Sequence, residues 1–213
     1  SGDDIRSLVA ELDKRGFLDT PGYRLQRAEA RRRFSELPVR PSSHAGGSYP
    51  DNPEELRQLI RSCFAAGNGP GWLEVSQPAR SAPAGLVAPH VDFARGGPVY
   101  AFAHRRLAEC ALPELVIILG VAHAGVAAPF TLTRKTFETP LGTVEADLDA
   151  IRALEDSCGP SLFEDEFVHR DEHSIEFQLP WMQTVHPGRA FRIVPVLCSA
   201  FEQYTGKKPP ESD

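Results

Sequence analysis

The sequence predicts an α/β protein with a mostly parallel central sheet, covered by helices on both faces, and three observations carry that reading. Leu86-Val-Ala-Pro-His90, Leu115-Val-Ile-Ile-Leu119 and Phe191-Arg-Ile-Val-Pro-Val-Leu-Cys198 are short, largely apolar runs, continuous rather than alternating, as strands buried on both faces require. Helix-patterned segments separate them. The first two runs end alike, one in Pro89-His90 before Gly96-Gly97, the other in Gly120-Val-Ala-His123. Each would deliver a histidine to the carboxyl edge of the sheet, where open α/β folds bind ligands.

Taken in order, Ile5, Leu8, Val9 and Leu12 recur at helical spacing over Asp3 to Arg15, with Asp3 and Asp4 at the favourable end of the dipole and Gly16 as the stop. A turn at Pro21-Gly22 precedes a second helix over Tyr23 to Leu37, rich in arginine (Arg24, Arg27, Arg31, Arg32, Arg33). With Glu29 and Glu36 among them, those arginines read as a solvated face, the alternative being a docking face for a peptide or partner protein. Pro38-Val-Arg-Pro41 reads as a linker, so residues 1–40 are predicted to be a helical appendage with its linker and residues 41–213 the α/β domain. A small-residue loop, Ser42 to Pro50, carries His44 and Tyr49. Asn52 as cap, Pro53 at the first position and Glu55 then open a helix with Leu56, Leu59, Ile60, Cys63 and Phe64 on one side.

Trp72 to Val75 is predicted as a short strand. The strand ending at His90, a helix over Pro98 to Cys110 and the strand leading to His123 form a right-handed parallel crossover. Pro129 to Thr133 alternates as a strand, Phe137 to Gly142 reads as a loop, and Ala146 to Leu154 as a helix. The polar cluster His169-Arg-Asp-Glu-His-Ser-Ile-Glu176 precedes a core helix with Phe177, Leu179, Trp181, Met182 and Val185. Pro195 inside the last strand calls for a break in pairing or a bulge.

At 213 residues and 41% apolar content the chain can bury one substantial core, and a net charge of −6 excludes a general nucleic-acid binder. No apolar run approaches the roughly 20 residues that span a membrane. Cys63, Cys110, Cys158 and Cys198 lack C-x-x-C spacing and read as small core residues in a reducing compartment. No signal peptide precedes them, so the expected location is cytoplasmic.

Other chemistries fit poorly. The chain has no Gly-x-Ser-x-Gly elbow, no phosphate-cradling P-loop and no dinucleotide fingerprint. His90 and His123 are either hydrogen-bonded structural residues or metal ligands, and their matching places on successive strands raise the second reading. His173 is either a helix-start residue bonded to Asp171 or Glu176, or a proton-transfer group across from the metal.

The set Ala45-Gly-Gly-Ser-Tyr-Pro50, Leu86-Val-Ala-Pro-His90, Leu119-Gly-Val-Ala-His123, Thr139-Pro-Leu-Gly142, Asp171-Glu-His-Ser-Ile-Glu176 and Val194-Pro-Val-Leu197 resembles the Memo family. The likeness runs over about Pro41 to Ala200, and its bacterial members include protein B of the AmmeMemoRadiSam system. That family resembles the class III extradiol ring-cleaving dioxygenases, which hold Fe(II) with two histidines and a carboxylate and use another histidine as acid/base. The resemblance implies His90 and His123 as metal ligands and His173, with Asp171, as catalytic residues. The expected pocket residues are His44, Tyr49 and Glu176, with Asp92 added where this chain departs from the family.

Fe(II) is the expected cofactor, with copper or zinc as alternatives. A small-molecule or peptide ligand and radical-enzyme partner proteins are the expected partners. Where the family has Pro-His-Ala-Gly-Tyr this chain has Pro89-His-Val-Asp-Phe93, which removes a pocket tyrosine and adds the Asp92 carboxylate. The family's third ligand lies in a later Ser-Asp-x-x-His-like segment absent here. The C-terminal part of the family fold is therefore expected to be missing and this form to be isolated empty. The first helices resemble, more weakly, the helical end of a winged-helix peptide-recognition domain. Two further functions stand beside the metal oxygenase: a non-catalytic peptide- or protein-binding module using the same cleft, and a zinc hydrolase.

Overall fold

The computed structural model describes residues 2–67, 69–72, 83–200 and 206. The chain divides into two compact units, Ser1–Pro38 and Val39–Asp213. The first contains α1 (Gly2–Lys14) and α2 (Pro21–Glu36). Gly16, at φ +75°, follows α1, and Thr20 caps α2 by accepting from the Tyr23 backbone N–H at 3.3 Å. Arg32 pairs with Glu29 and Glu36, and Arg33 with Glu29, all exposed. This is the solvated arginine face, and such pairs contribute little to stability.

The second unit holds β1 (Val39–Arg40), α3 (Pro53–Ala65), α4 (Phe93–Ala108), β2 (Leu115–Val121), β3 (Phe130–Leu132), β4 (Thr136–Thr139) and β5 (Gly142–Ala146). It continues with α5 (Leu148–Cys158), 3-10 turns at Pro160–Phe163 and Glu166–Arg170, α6 (Gln178–Val185) and β6 (Arg192–Cys198). The sheet order is β1-β4-β5-β6-β2, with β3 also on β6. β1 on β4, β5 on β6 and β2 on β6 are parallel, whereas β4 on β5 and β3 on β6 are antiparallel. This is the mixed α/β, mostly parallel architecture expected. Pro195 is accommodated in the interior strand because β5 pairs β6 only at Arg192 and Ile193, and β3 only from Val196 onward. The proline falls in the gap between them, where no partner asks for its missing N–H.

α4 and α6 cover one face. There Leu107, Leu179 and Met182 meet Ile118, Ile193 and Leu197, and the core continues through Leu56, Ile60 and Phe64 of α3 with Phe93, Tyr100 and Trp181. α5 covers the other face, where Ile151 packs with Leu132, Val194 and Val196. Asn52 caps α3 as expected, accepting from the Glu54 and Glu55 backbone N–H groups.

Several local expectations are corrected. Val39 and Arg40 of the expected linker form β1, because Arg40 is fully buried and its guanidinium anchors the strand. Leu86 to His90 forms no strand: Leu86 and Val87 are exposed and Pro89 has no N–H to share. The loop expected over Phe137 to Gly142 is the β4–β5 hairpin around Pro140-Leu141, with Thr139 paired to Gly142. β2 is not covered on both faces. It stands at the end of the sheet order, and Leu115, Ile117, Leu119 and Val121 are exposed. All four cysteines are thiols, but Cys158 is exposed at the end of α5 instead of buried. Of the strand expected over Trp72 to Val75, only Trp72 is among the described residues, edge-on to Phe64. No described helix is long and apolar enough to cross a membrane.

Candidate metal centre

Three different segments bring a histidine to the rim of the sheet. His123 lies two residues beyond β2, whose exit is fixed by the Ala122 N–H donating to the Cys198 carbonyl at 2.9 Å. His173 lies in the turn between the second 3-10 segment and α6. That turn is tied to β2 by the Val121 N–H donating to Ser174 Oγ at 2.9 Å. A side chain at position 120 would collide with it, since a Cβ there would lie 2.6 Å from Ser174 Oγ and 2.7 Å from Ile175 Cγ1; the glycine is sterically required. His90 lies on the irregular segment that enters α4. One ring nitrogen from each of His90, His123 and His173 can be chosen so that all lie within 4.8 Å of one another. The His123 and His173 rings are stacked at 4.7 Å, and His90 stands 5.1 and 5.7 Å from them.

Below them sits Glu172, a buried carboxylate. Its oxygens contact His123 Nδ1 at 3.1 Å and His173 Nδ1 at 3.3 Å, and accept from the backbone N–H groups of His123, His173 and Ser174 at 2.8–3.0 Å. Burial pushes its pKa up, but the Ser174 and His123 N–H groups and the His123 ring outweigh this and hold it below the ordinary carboxylate range. The carboxylate therefore orients the His123 ring through Nδ1 and leaves its Nε2 for a ligand, the arrangement common behind metal-bound histidines, while it holds His173 by the backbone N–H and lies beside that ring. For His173, burial lowers the pKa, and the nearby His123, His44 and His90 add to this against the pull of Glu172. A depressed pKa favours the neutral ring that a metal requires.

The predicted residues divide sharply. Asp171 does not face the rim; its side chain is 63% exposed and paired with Arg170. Asp92 caps α4, accepting from the Arg95 N–H at 3.0 Å, and pairs with the Arg95 side chain. Glu176 is fully buried and so does not line an open pocket. It holds Arg40, the Tyr49 hydroxyl and the Ser43 and His44 backbone N–H groups. Burial raises its pKa, yet Arg40 and Tyr49 hold it below the usual carboxylate range. Arg40 also donates to the carbonyls of His169 at 2.8 Å and Glu172 at 2.7 Å, so this ion pair ties the loop of residues 41–49 to the turn that carries His173. Tyr49 is buried in that anchor. His44 is the pocket residue that does reach the cluster, its ring 5.6 Å from that of His173 and its Nδ1 3.2 Å from Glu176.

Sequence reasoning did not single out Glu172, although its place directly before His173 was visible. A cleft of about 500 Å³ lined by Glu114, Glu145, Gln183, Arg189 and Arg192 lies at the starting ends of β2 and β6, away from the histidines, and contains no histidine or cysteine.

Fold and rim together define an α/β protein that gathers three imidazoles, two of them over one carboxylate, at the carboxyl edge of its sheet. The Memo-like protein family model matches residues 40–209, and the chain belongs to that family. It is 41% identical over 169 residues to a MEMO1 family protein of Methanopyrus kandleri, covering 79% of this chain and 59% of that protein. It is 40% identical over 161 residues to one of Ignicoccus hospitalis, covering 75% and 56%, and 39% identical over 158 residues to one of Thermotoga neapolitana, covering 71% and 55%. The chain thus spans somewhat over half the length of the curated relatives it matches.

Proposed function

We propose that this Memo-like chain binds a single transition-metal ion through His90, His123 and His173, at a non-heme iron site related to that of the extradiol dioxygenases but with a third histidine where those enzymes have a carboxylate. The convergence of three ring nitrogens within 4.8 Å carries the reading. The donor set fits: imidazole suits iron, copper and zinc, and the Glu172 carboxylate supplies the outer partner that fixes ligand rings. A bound Fe(II) or copper ion would supply Lewis-acid and one-electron redox chemistry. The chain's own residues do the rest. Glu172 holds the His123 ring by Nδ1 and His173 by its backbone N–H, the Arg40–Glu176 anchor fixes the turn beneath them, and the His44 ring stands beside that of His173, both resting on buried Phe177. The reaction is proposed as oxygenase or redox chemistry on a small molecule in the cytoplasm.

A second reading keeps the ion on His90 and His123 and leaves His173 to transfer a proton. The observation favouring it is that His173 borders His44 as well as the other two rings. Anaerobic titration of the chain with Fe(II), with metal content measured after desalting, tests both. About one ion per chain is expected, lost in His90→Ala and His123→Ala; unchanged occupancy in both variants rejects the site. His173→Ala loses the ion if that ring is a ligand and retains it if it is a proton carrier. Activity retained with zinc in place of iron would select a hydrolase instead, and ligand capture indifferent to chelator would select a peptide-binding module.

A further inference from the structure

Glu172 hydrogen-bonds the His123 ring and the His173 backbone, but among the described residues it makes no such contact to His90. Among the described residues no hydrogen-bond partner is seen for its ring, and its segment has no regular secondary structure. Apart from its ring contacts with His123 and His173, its direction depends on its backbone, and the carbonyls of the residues on both sides of it are held. Gln178 Nε2, at the start of α6, donates to the Pro89 carbonyl at 2.9 Å. The Tyr100 hydroxyl, on α4, donates to the Val91 carbonyl at 3.0 Å.

Both donors are themselves fixed. The second hydrogen of Gln178 Nε2 goes to the Ser174 carbonyl at 3.3 Å, so its Oε1 accepts from His104 Nε2 at 3.3 Å. That assigns the His104 proton to Nε2. Burial drives the His104 pKa down to about 4, which keeps the ring neutral, and its Nδ1 is left buried without a hydrogen-bond partner. The Tyr100 ring lies stacked on Trp181 at 5.1 Å and 6°, with both residues fully buried, and His104 stacks on Trp181 at 5.7 Å. A buried, partly unsatisfied histidine is an expense for the core. Aiming one amide is what it accomplishes.

We propose that Gln178 and Tyr100 are positioning residues that clamp the two peptide carbonyls flanking His90 and so hold its imidazole against those of His123 and His173. The proposal rests on the metal-site reading. Neither residue touches the ion; both act through His90, as the outer partners of metal ligands do.

The test is a Co(II) titration of the intact chain, read by visible absorption and by competition with a chelator, on the original protein and three variants. Tyr100→Phe removes one hydroxyl and keeps the stacked ring. Gln178→Glu keeps an acceptor for His104 but, ionised, cannot donate to the Pro89 carbonyl. Ile151→Val, on the far face, is a mildly destabilised control in a core cluster that does not include His90. Co(II) affinity is expected to fall about 10-fold in each clamp variant, with a changed ligand-field spectrum, and to hold in the control. Unchanged affinity and spectrum in both clamp variants overturns the clamp while leaving the site standing. An equal loss in Ile151→Val also overturns it, because the effect would then be general loosening. No binding by the original protein removes the metal site itself, and the clamp with it.

Discussion

At the scale of single residues, a buried charge must be accounted for by its partners, and two carboxylates in this chain do different work under that rule. Glu172 faces two imidazoles. Glu172→Gln removes the anion that orients the first and lies beside the second, and metal affinity is expected to drop about 10- to 100-fold by equilibrium titration with a chromophoric competitor. Glu176 faces Arg40, and both are wholly buried. Arg40→Met should cost about 3–5 kcal/mol in urea unfolding, because it strands a carboxylate in the interior. Nothing in the order Asp171-Glu172-His173 distinguishes an exposed acid from a buried one. The turn decides, by directing the Glu172 oxygens toward three backbone N–H groups while Asp171 points to Arg170.

At the scale of elements, strong local signals were legible. Asn52-Pro53 set the start of α3, the apolar runs marked β2 and β6 as strands, and the apolar stretch after Glu176 set α6; the parallel neighbour of β2 is β6, not the Leu86–His90 segment of the expected crossover. The segment before His90 misled because proline and two aliphatic residues fit a strand, yet among the described residues no strand pairs with it; side-chain donors from α6 and α4 take the Pro89 and Val91 carbonyls instead. The β4–β5 hairpin was hidden because Thr139-Pro-Leu-Gly142 reads as a loop, while the pairing depends on Phe137 meeting Val144 in the core. Close packing where elements meet sets a further expectation. Gly120→Ala places a Cβ against Ser174 and Ile175 and should destabilise by about 1–3 kcal/mol in chemical unfolding, displacing the turn that carries His173.

At the scale of the whole molecule, two sealed histidines link the fold to pH. Burial lowers His104 to about 4 and His169 to about 3, against about 6.5 in an unfolded chain. Both depressed values mean that the unfolded state takes up protons first as pH falls. The stability they confer is therefore complete above about pH 6.5 and is lost progressively as pH drops toward 4 and then 3. Thermal melts between pH 7 and 4 should show a falling midpoint, with a slope reduced in His104→Gln; a flat profile would contradict the burial of these rings in neutral form.

β2 carries the last consequence. Its seven residues hold no charge and no proline, they pair only with β6 among the described residues, and alternate side chains stand bare. Such a seam is an open template: whichever strand arrives with the right register can add to it, and at high concentration the readiest supply is another molecule of the same kind. Light scattering should reveal reversible growth of this 213-residue chain with concentration, and Ile117→Lys should suppress it while leaving ion uptake at the rim intact.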